Sequence, residues 1–282
     1  MKIGRILLAL VLTLVLLFIA RRLAMVQPRV MEQTVEGLTI SHLNPGKAPE
    51  NQPLTIAARI TRGLKNGEKL ILSFTYEKVN SDWSTAEMLP KKAGSDTLVA
   101  DINGQPRGEK LFYYFEVQDS LGTVVASLGT ESKPLRLRFE GKVPGYIIGP
   151  HIFCMFAGAF FAFLALFGAL GLLRNPGEVN TVARKVGWTT LFIFLGGFPL
   201  GIMVARAAVG GSGWGGFPLG NDITDNKTLL IFLYWLLLVI LGKGSIFQKN
   251  PEKNLVKPET YGKLTLVGFI LLLGLYLIPH SL

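Results

Sequence analysis

Five apolar runs constrain the fold of this chain more than any other feature. Residues 6–20, 147–173 and 186–205 approach the length of about 20 apolar residues that a bilayer core requires. Two shorter runs, at 229–241 and 264–278, must recruit flanking residues to cross a membrane. The sequence therefore predicts a membrane protein with five spans and one large polar insert between the first two.

The first run allows two interpretations. Lys2 and Arg5 form a short basic head before a modest apolar stretch, which is typical of a secretory signal. However, Arg21 and Arg22 follow the run, and no small-x-small cleavage site does. We expect residues 1–25 to be an uncleaved transmembrane anchor, with the signal sequence as the alternative.

The charges of the short loops predict the orientation, because cytoplasmic loops accumulate Lys and Arg. The loop 174–185 carries three cationic residues and the loop 243–263 carries five lysines, whereas the loop between them has only Arg206 and Lys227. In a bacterial inner membrane this places the N-terminus in the cytoplasm, and residues 25–145 and the C-terminus outside. The net charge of +10 then needs no partner beyond anionic lipid headgroups. No basic groove with interleaved aromatic residues suggests nucleic acid.

Residues 26–145 show the period-2 alternation of short β-strands, so the fold class is α+β. In KLFYYFEVQD, for example, Leu111, Tyr113, Phe115 and Val117 share one face. Seven or eight such strands predict a β-sandwich. The run KLFYYFEVQDSLGTVV, after a Gly-Gln-Pro turn, resembles the late strands of immunoglobulin-like or fibronectin type III-like domains. That resemblance implies a fold but no activity.

Turn residues separate these strands. We predict tight turns at Asn66–Gly67, Asn103–Gly104 and 119–122. We expect His42 to be a turn or surface residue.

Residues 146–282 predict a four-helix transmembrane bundle that contains the hexapeptide GGFPLG twice, at 196–201 and 215–220. In the first copy Pro199 removes a backbone donor, which predicts a kink in the third span. The second copy, with Pro218, lies in a glycine-rich stretch that cannot form a spanning helix and is expected to cover the outer face. Trp214 and Phe217 are expected to anchor this loop at the headgroup level.

Polar residues converge at the predicted outer ends of these helices. His151 opens the second span, His280 follows the fifth, Arg206 leaves the third, and Asp222 and Asp225 precede the fourth. We expect Thr224 or Asp225 to cap the fourth helix.

Three interpretations of this polar cluster remain open. His151 and His280 could ligate a b-type haem, with Arg206 and Lys227 near its propionates. The two histidines with Asp222 or Asp225 could instead hold a divalent metal. In the third, the histidines hydrogen-bond to the loop and Arg206 pairs with an aspartate.

The whole arrangement, with its WGGFPLGNDITDNKT loop and terminal IPHS, resembles a group of bacterial membrane proteins that join an exported Ig/fibronectin type III-like domain to four transmembrane helices. The resemblance implies no established activity. We predict a non-enzymatic membrane subunit or anchor that docks other membrane or periplasmic proteins through its exported domain. The alternative is an electron-transfer protein that binds haem or a divalent metal through His151 and His280.

Overall fold

The fold is α+β and divides into two compact units. A computed structural model describes residues 3–25, 27–65, 67–76 and 82–278. The helical unit comprises Met1–Met25, Val143–Ala207 and Ser212–Leu282, and the sheet unit comprises Val26–Lys142 with Ala208–Gly211. The predicted turn residue Asn66 and the predicted ligand His280 lie outside the described residues.

The described residues contain seven α-helices, which belong to the helical unit except for the last two residues of the fourth. Their bounds are Ile3–Ala24 (α1), Gly145–Leu172 (α2), Val179–Leu195 (α3), Gly201–Val209 (α4), Ile223–Leu241 (α5), Lys243–Phe247 (α6) and Pro258–Leu277 (α7). A π-helical turn at Gly196–Leu200 joins α3 to α4 without a break. Five segments of the described chain are long and apolar enough to cross a membrane: Ile3–Leu23, Gly145–Leu172, Pro176–Val209, Ile223–Leu241 and Pro258–Leu277. The two short apolar runs recruit flanking residues at their N-terminal ends.

Small residues let α2 pack closely against its neighbours. Cys154, Gly158 and Ala162 recur every fourth residue and are buried. A Cβ added to Gly158 would lie 3.1 Å from the Ile193 side chain of α3. Small side chains at this spacing allow helix backbones to approach closely in lipid.

The sheet unit contains eleven strands within the described residues, more than the sequence predicted. They are β1 (Arg29–Val35), β2 (Leu38–Asn44), β3 (Lys47–Pro49), β4 (Leu54–Ile60), β5 (Lys69–Thr75), β6 (Ser84–Glu87), β7 (Leu89–Pro90), β8 (Thr97–Ile102), β9 (Lys110–Gln118), β10 (Val124–Leu128) and β11 (Leu135–Glu140). One sheet has the order β1-β2-β4-β8-β7 and the other β3-β11-β9-β5-β6, with β10 also paired to β9.

Residues from both sheets form one buried apolar cluster. The prediction that Leu111, Tyr113, Phe115 and Val117 of β9 share one face is confirmed, and this face is fully buried in the core. Period-2 alternation was a sufficient signal for this strand because one face meets the core and the other does not.

One predicted turn is wrong and another is confirmed. Asn103–Gly104 does not close a hairpin, because β8 and β9 belong to different sheets and residues 103–109 connect them. Gly104 is required there because a Cβ would collide with the backbone of Gln52. The turn at 119–122 is present, with Asp119 Oδ1 accepting hydrogen bonds from the N–H groups of Leu121 and Thr123.

Candidate functional site

The π-helical turn made by the first GGFPLG is the centre of the candidate site. Pro199 has no N–H to donate, and Gly196 and Gly197 lower the cost of departing from α-helical hydrogen bonding. The predicted disturbance of the third span is therefore a π turn. Single π turns within α-helices occur frequently at functional sites.

His151 of α2 satisfies a carbonyl of this turn. Its Nδ1 lies 2.9 Å from the Gly196 oxygen, and a carbonyl oxygen can only accept, so Nδ1 carries the hydrogen. In the neutral imidazole, Nε2 then has a free lone pair. Histidines that bind metals usually donate their other N–H in this way, which fixes the ring orientation.

Two further helices meet the same region. A Cβ on Gly197 would collide with Cγ2 of Thr228 in α5, so the Gly197 backbone lies directly against the Thr228 side chain. On α7, the Tyr276 hydroxyl donates to the Met155 carbonyl of α2 at 3.0 Å. The Met155 sulfur would in turn lie 2.8 Å from a Cβ on Gly196. The π turn thus packs against α2 and α5, and α7 contacts α2 one helical turn from His151.

The two GGFPLG copies are joined by aromatic stacking. Trp214 stacks on Phe198 of the first copy, with ring centroids 5.3 Å apart, and its indole N–H donates to the Phe217 carbonyl of the second. Phe198 also contacts Phe194 and Phe232. The predicted lipid anchor Trp214 is therefore half-buried in protein. Residues 212–222 are named here the GGFPLG loop. Its exposed large hydrophobic side chains are Phe217 and Leu219, at 70% and 74%. Pro218 follows Phe217 through a cis peptide bond.

The two aspartates of the predicted metal site hold this loop and cap α5. Asp222 is the N-cap, because its Oδ1 accepts from the N–H groups of Thr224 at 2.8 Å and Asp225 at 3.1 Å. The prediction of Thr224 or Asp225 as the cap is therefore wrong, because the N-cap lies two or three residues earlier in the chain. Asp225 accepts from the Gly215 N–H at 2.7 Å, and Asn226 accepts from the Phe217 N–H at the same distance.

The two cations of the predicted cluster, Arg206 and Lys227, have different environments. Arg206 is exposed, contacts Gly213 closely, and forms no ion pair with an aspartate in the described part of the chain. Lys227, in contrast, is buried, and its ammonium donates to the Ile278 carbonyl at 2.6 Å. A lysine that caps the carbonyl end of another helix is favourably placed in the dipole of that helix.

The structure thus brings together some of the predicted site residues. Asp222 and Asp225 both lie beside Gly215, while His151 lies against the π turn. The described residues contain no group of three His, Cys, Asp or Glu side chains that could hold a metal ion, and His280 lies outside them. The metal and haem assignments therefore stay predictions.

Sequence reasoning missed a second polar site, inside the sheet unit. His42 is buried in β2, where Nδ1 lies 2.7 Å from the Ala57 carbonyl and Nε2 lies 2.8 Å from the Tyr113 hydroxyl. The expectation of a turn or surface residue is wrong. The missed signal is the alternation Leu38, Ile40, His42, which puts the imidazole on the core face.

No protein-family model matches this sequence, and no curated protein matches it significantly.

Proposed function

We propose that this chain is a non-enzymatic membrane subunit or anchor whose sheet unit docks another membrane or periplasmic protein. In this proposal the sheet unit is an Ig/fibronectin type III-like β-sandwich outside the bacterial inner membrane. The helices after residue 145 form a four-helix bundle that, with the anchor α1, fixes it at the bilayer. The lysine-rich loops support this orientation.

An exposed apolar pair on the sheet unit carries the proposal. Val30 of β1 and Leu43 of β2 are directly opposite each other across the two strands. Their exposures are 62% and 58%, although this unit buries a large core elsewhere. Contiguous apolar surface that remains outside a completed core is typical of interaction sites.

A photo-crosslinking amino acid in living cells tests this proposal. The crosslinker replaces Leu43 in one variant and Leu89 in a matched control. Leu89 has the same exposure as Val30, lies on the same sheet and sits at the opposite edge. We expect an adduct with a second polypeptide from position 43 and none from position 89. No adduct from either position, or equal adducts from both, would contradict the proposal.

Labelling with a membrane-impermeant maleimide tests the orientation. Cys154 is the sole cysteine and is buried, so a Cys154→Ala background provides single-cysteine variants. Ser132→Cys in the sheet unit should react in intact cells. Glu252→Cys, in the lysine-rich loop, should react only after the membrane is permeabilised. The reverse pattern would invert the proposed topology.

Binding of b-type haem or a divalent metal is a second candidate, favoured by the His151 tautomer. The Gly196 carbonyl fixes the hydrogen on Nδ1 and leaves Nε2 as a potential ligand. His280 would provide the second imidazole, and Arg206 would lie near haem propionates. Asp222 and Asp225 would join the histidines only if a metal displaced their present hydrogen bonds.

Substitutions at His151 separate ligation from a structural role. Asn can reproduce the Nδ1 donor but cannot provide Nε2, whereas Ala removes both. If His151 is a ligand, His151→Asn and His151→Ala should both lose the haem spectrum or bound metal, while His42→Gln retains it. If the wild-type protein is colourless and metal-free, this candidate is wrong.

A further inference from the structure

The strand β1 lies at a free edge of its sheet, and its turn determines which backbone groups face outward. Glu36 and Gly37 connect β1 to β2 with positive φ angles of 46° and 78°. Positive φ at both positions defines a two-residue type I′ hairpin. The pair Val35–Leu38 that flanks this turn is therefore hydrogen-bonded, and every second pair beyond it is too.

The alternate residues Val30, Glu32 and Thr34 consequently point their N–H and C=O groups away from β2. In the described part of the chain these outward groups have no hydrogen-bond partner. A row of unpaired backbone groups on an edge strand is a template for pairing with another strand.

The side chains of β1 leave this edge open. The strand runs for seven residues without a proline or a bulge. On its outer face the Ser41 hydroxyl donates to Glu32 at 3.1 Å, and the hydroxyls of Thr34 and Thr39 are 2.8 Å apart. Glu32 is thus the one charged residue among the three outward positions.

We propose that β1 pairs edge to edge with an extended segment of a different polypeptide that carries a basic residue opposite Glu32 and an apolar residue beside Val30. This inference rests on the proposed docking function and identifies its site. A second copy of β1 fits poorly, because the antiparallel register that pairs all three outward residues places Glu32 opposite Glu32. Like charges directly opposite each other destabilise a strand pair.

A synthetic peptide, acetyl-Thr-Val-Thr-Lys-Thr-Val-Thr-amide, is the probe for this edge. Its sequence reads the same in both directions, so it offers Val, Lys, Val to the outward positions in parallel or antiparallel pairing. Binding is measured by isothermal titration calorimetry on the full chain in lipid nanodiscs. We expect saturable binding that weakens about fivefold when the peptide Lys is replaced by Glu. Glu32→Lys should reverse this preference.

The backbone contribution is tested with a matched pair of variants. Thr34→Pro removes an outward N–H without breaking a backbone hydrogen bond to β2, and Thr34→Ala keeps that N–H but loses the same hydroxyl. Thr34→Pro should weaken peptide binding about tenfold, and Thr34→Ala should leave it unchanged. A peptide N-methylated on the Val and Lys amides should also lose binding, which keeps the test decisive if Thr34→Pro does not fold.

Three outcomes would overturn this inference. They are absent peptide binding, binding insensitive to Thr34→Pro and N-methylation, and a cellular crosslink from position 43 that joins only two copies of this chain. If position 43 crosslinks a different polypeptide equally well in Thr34→Pro, the edge pairing is wrong but the docking function stands. If position 43 crosslinks nothing, the docking function itself is wrong.

Discussion

His42 and Tyr113 place a neutral hydrogen-bonded pair inside the sheet unit. β2 pairs with β4 only at Ile40 and Ser41, so beyond that point the His42 ring, rather than β2 backbone, donates to the Ala57 carbonyl. Nε2 then accepts from the Tyr113 hydroxyl. Burial lowers the pKa of His42, and the bond to Ala57 only partly opposes that shift. Burial also raises the pKa of Tyr113, so both groups stay neutral near pH 7.

This pair predicts a loss of stability in mild acid. Because the folded pKa of His42 lies below the unfolded value of about 6.5, the unfolded chain binds the proton more readily. The free energy of unfolding should therefore fall as the pH drops from about 6.5 towards the folded pKa. Hydrogen exchange of β9, corrected for intrinsic rates, measures this loss. His42→Gln should lose less free energy of unfolding than the wild type between about pH 7 and 5. A pH profile identical to that of the wild type would contradict the assignment of this loss to His42.

At the scale of elements, the π turn depends on its contact with α5. Gly197→Ala should destabilise the protein by about 1–3 kcal/mol, because the new Cβ meets Cγ2 of Thr228. Thr228→Ser removes that methyl group but keeps the hydroxyl bond to the Thr224 carbonyl. Thermal unfolding in detergent should show that Thr228→Ser restores most of the loss in the double variant. If the stability losses of the two single variants simply add in the double variant, the contact between residues 197 and 228 does not cause the destabilisation.

The GGFPLG loop should reach lipid through Phe217 and Leu219, since it joins two segments that are long and apolar enough to cross a membrane and contains no charged residue from 212 to 221. Spin labels at Phe217→Cys and, as a polar control, at Asn221→Cys report depth in the Cys154→Ala background. We expect the label at 217 to collide preferentially with oxygen and the label at 221 with a water-soluble nickel chelate. Equal aqueous exposure at both sites would show that the loop stands clear of the bilayer.

The helices and most strands could be predicted from local sequence, because their signals lie in runs of apolar residues or in period-2 alternation. The π turn could be anticipated only as a disturbance at Pro199, since its hydrogen bond to His151 joins residues 45 positions apart. The partial burial of Trp214 could not be predicted, because composition indicates only an interfacial position, whereas its ring is half-buried by tertiary stacking on Phe198. Asp222 was missed as the N-cap because the helix begins before the apolar run does.

At the scale of the whole molecule, the account depends on the sheet unit being a docking domain on a membrane-spanning support. The described sheet unit has a core of its own, and the helical unit has another. A domain that folds around its own core leaves its outer surface available for a partner. The exposed Val30–Leu43 pair and the outward backbone groups of β1 lie at the same edge of this unit.

The mass of the particle released from native membranes by mild detergent tests this claim most directly. The account predicts, by native mass spectrometry, the 30.9 kDa chain bound to a second, different polypeptide. Leu43→Asp should release that polypeptide, whereas Leu89→Asp, at the opposite edge, should retain it. A wild-type particle that contains only this chain, alone or in multiples, would contradict the account.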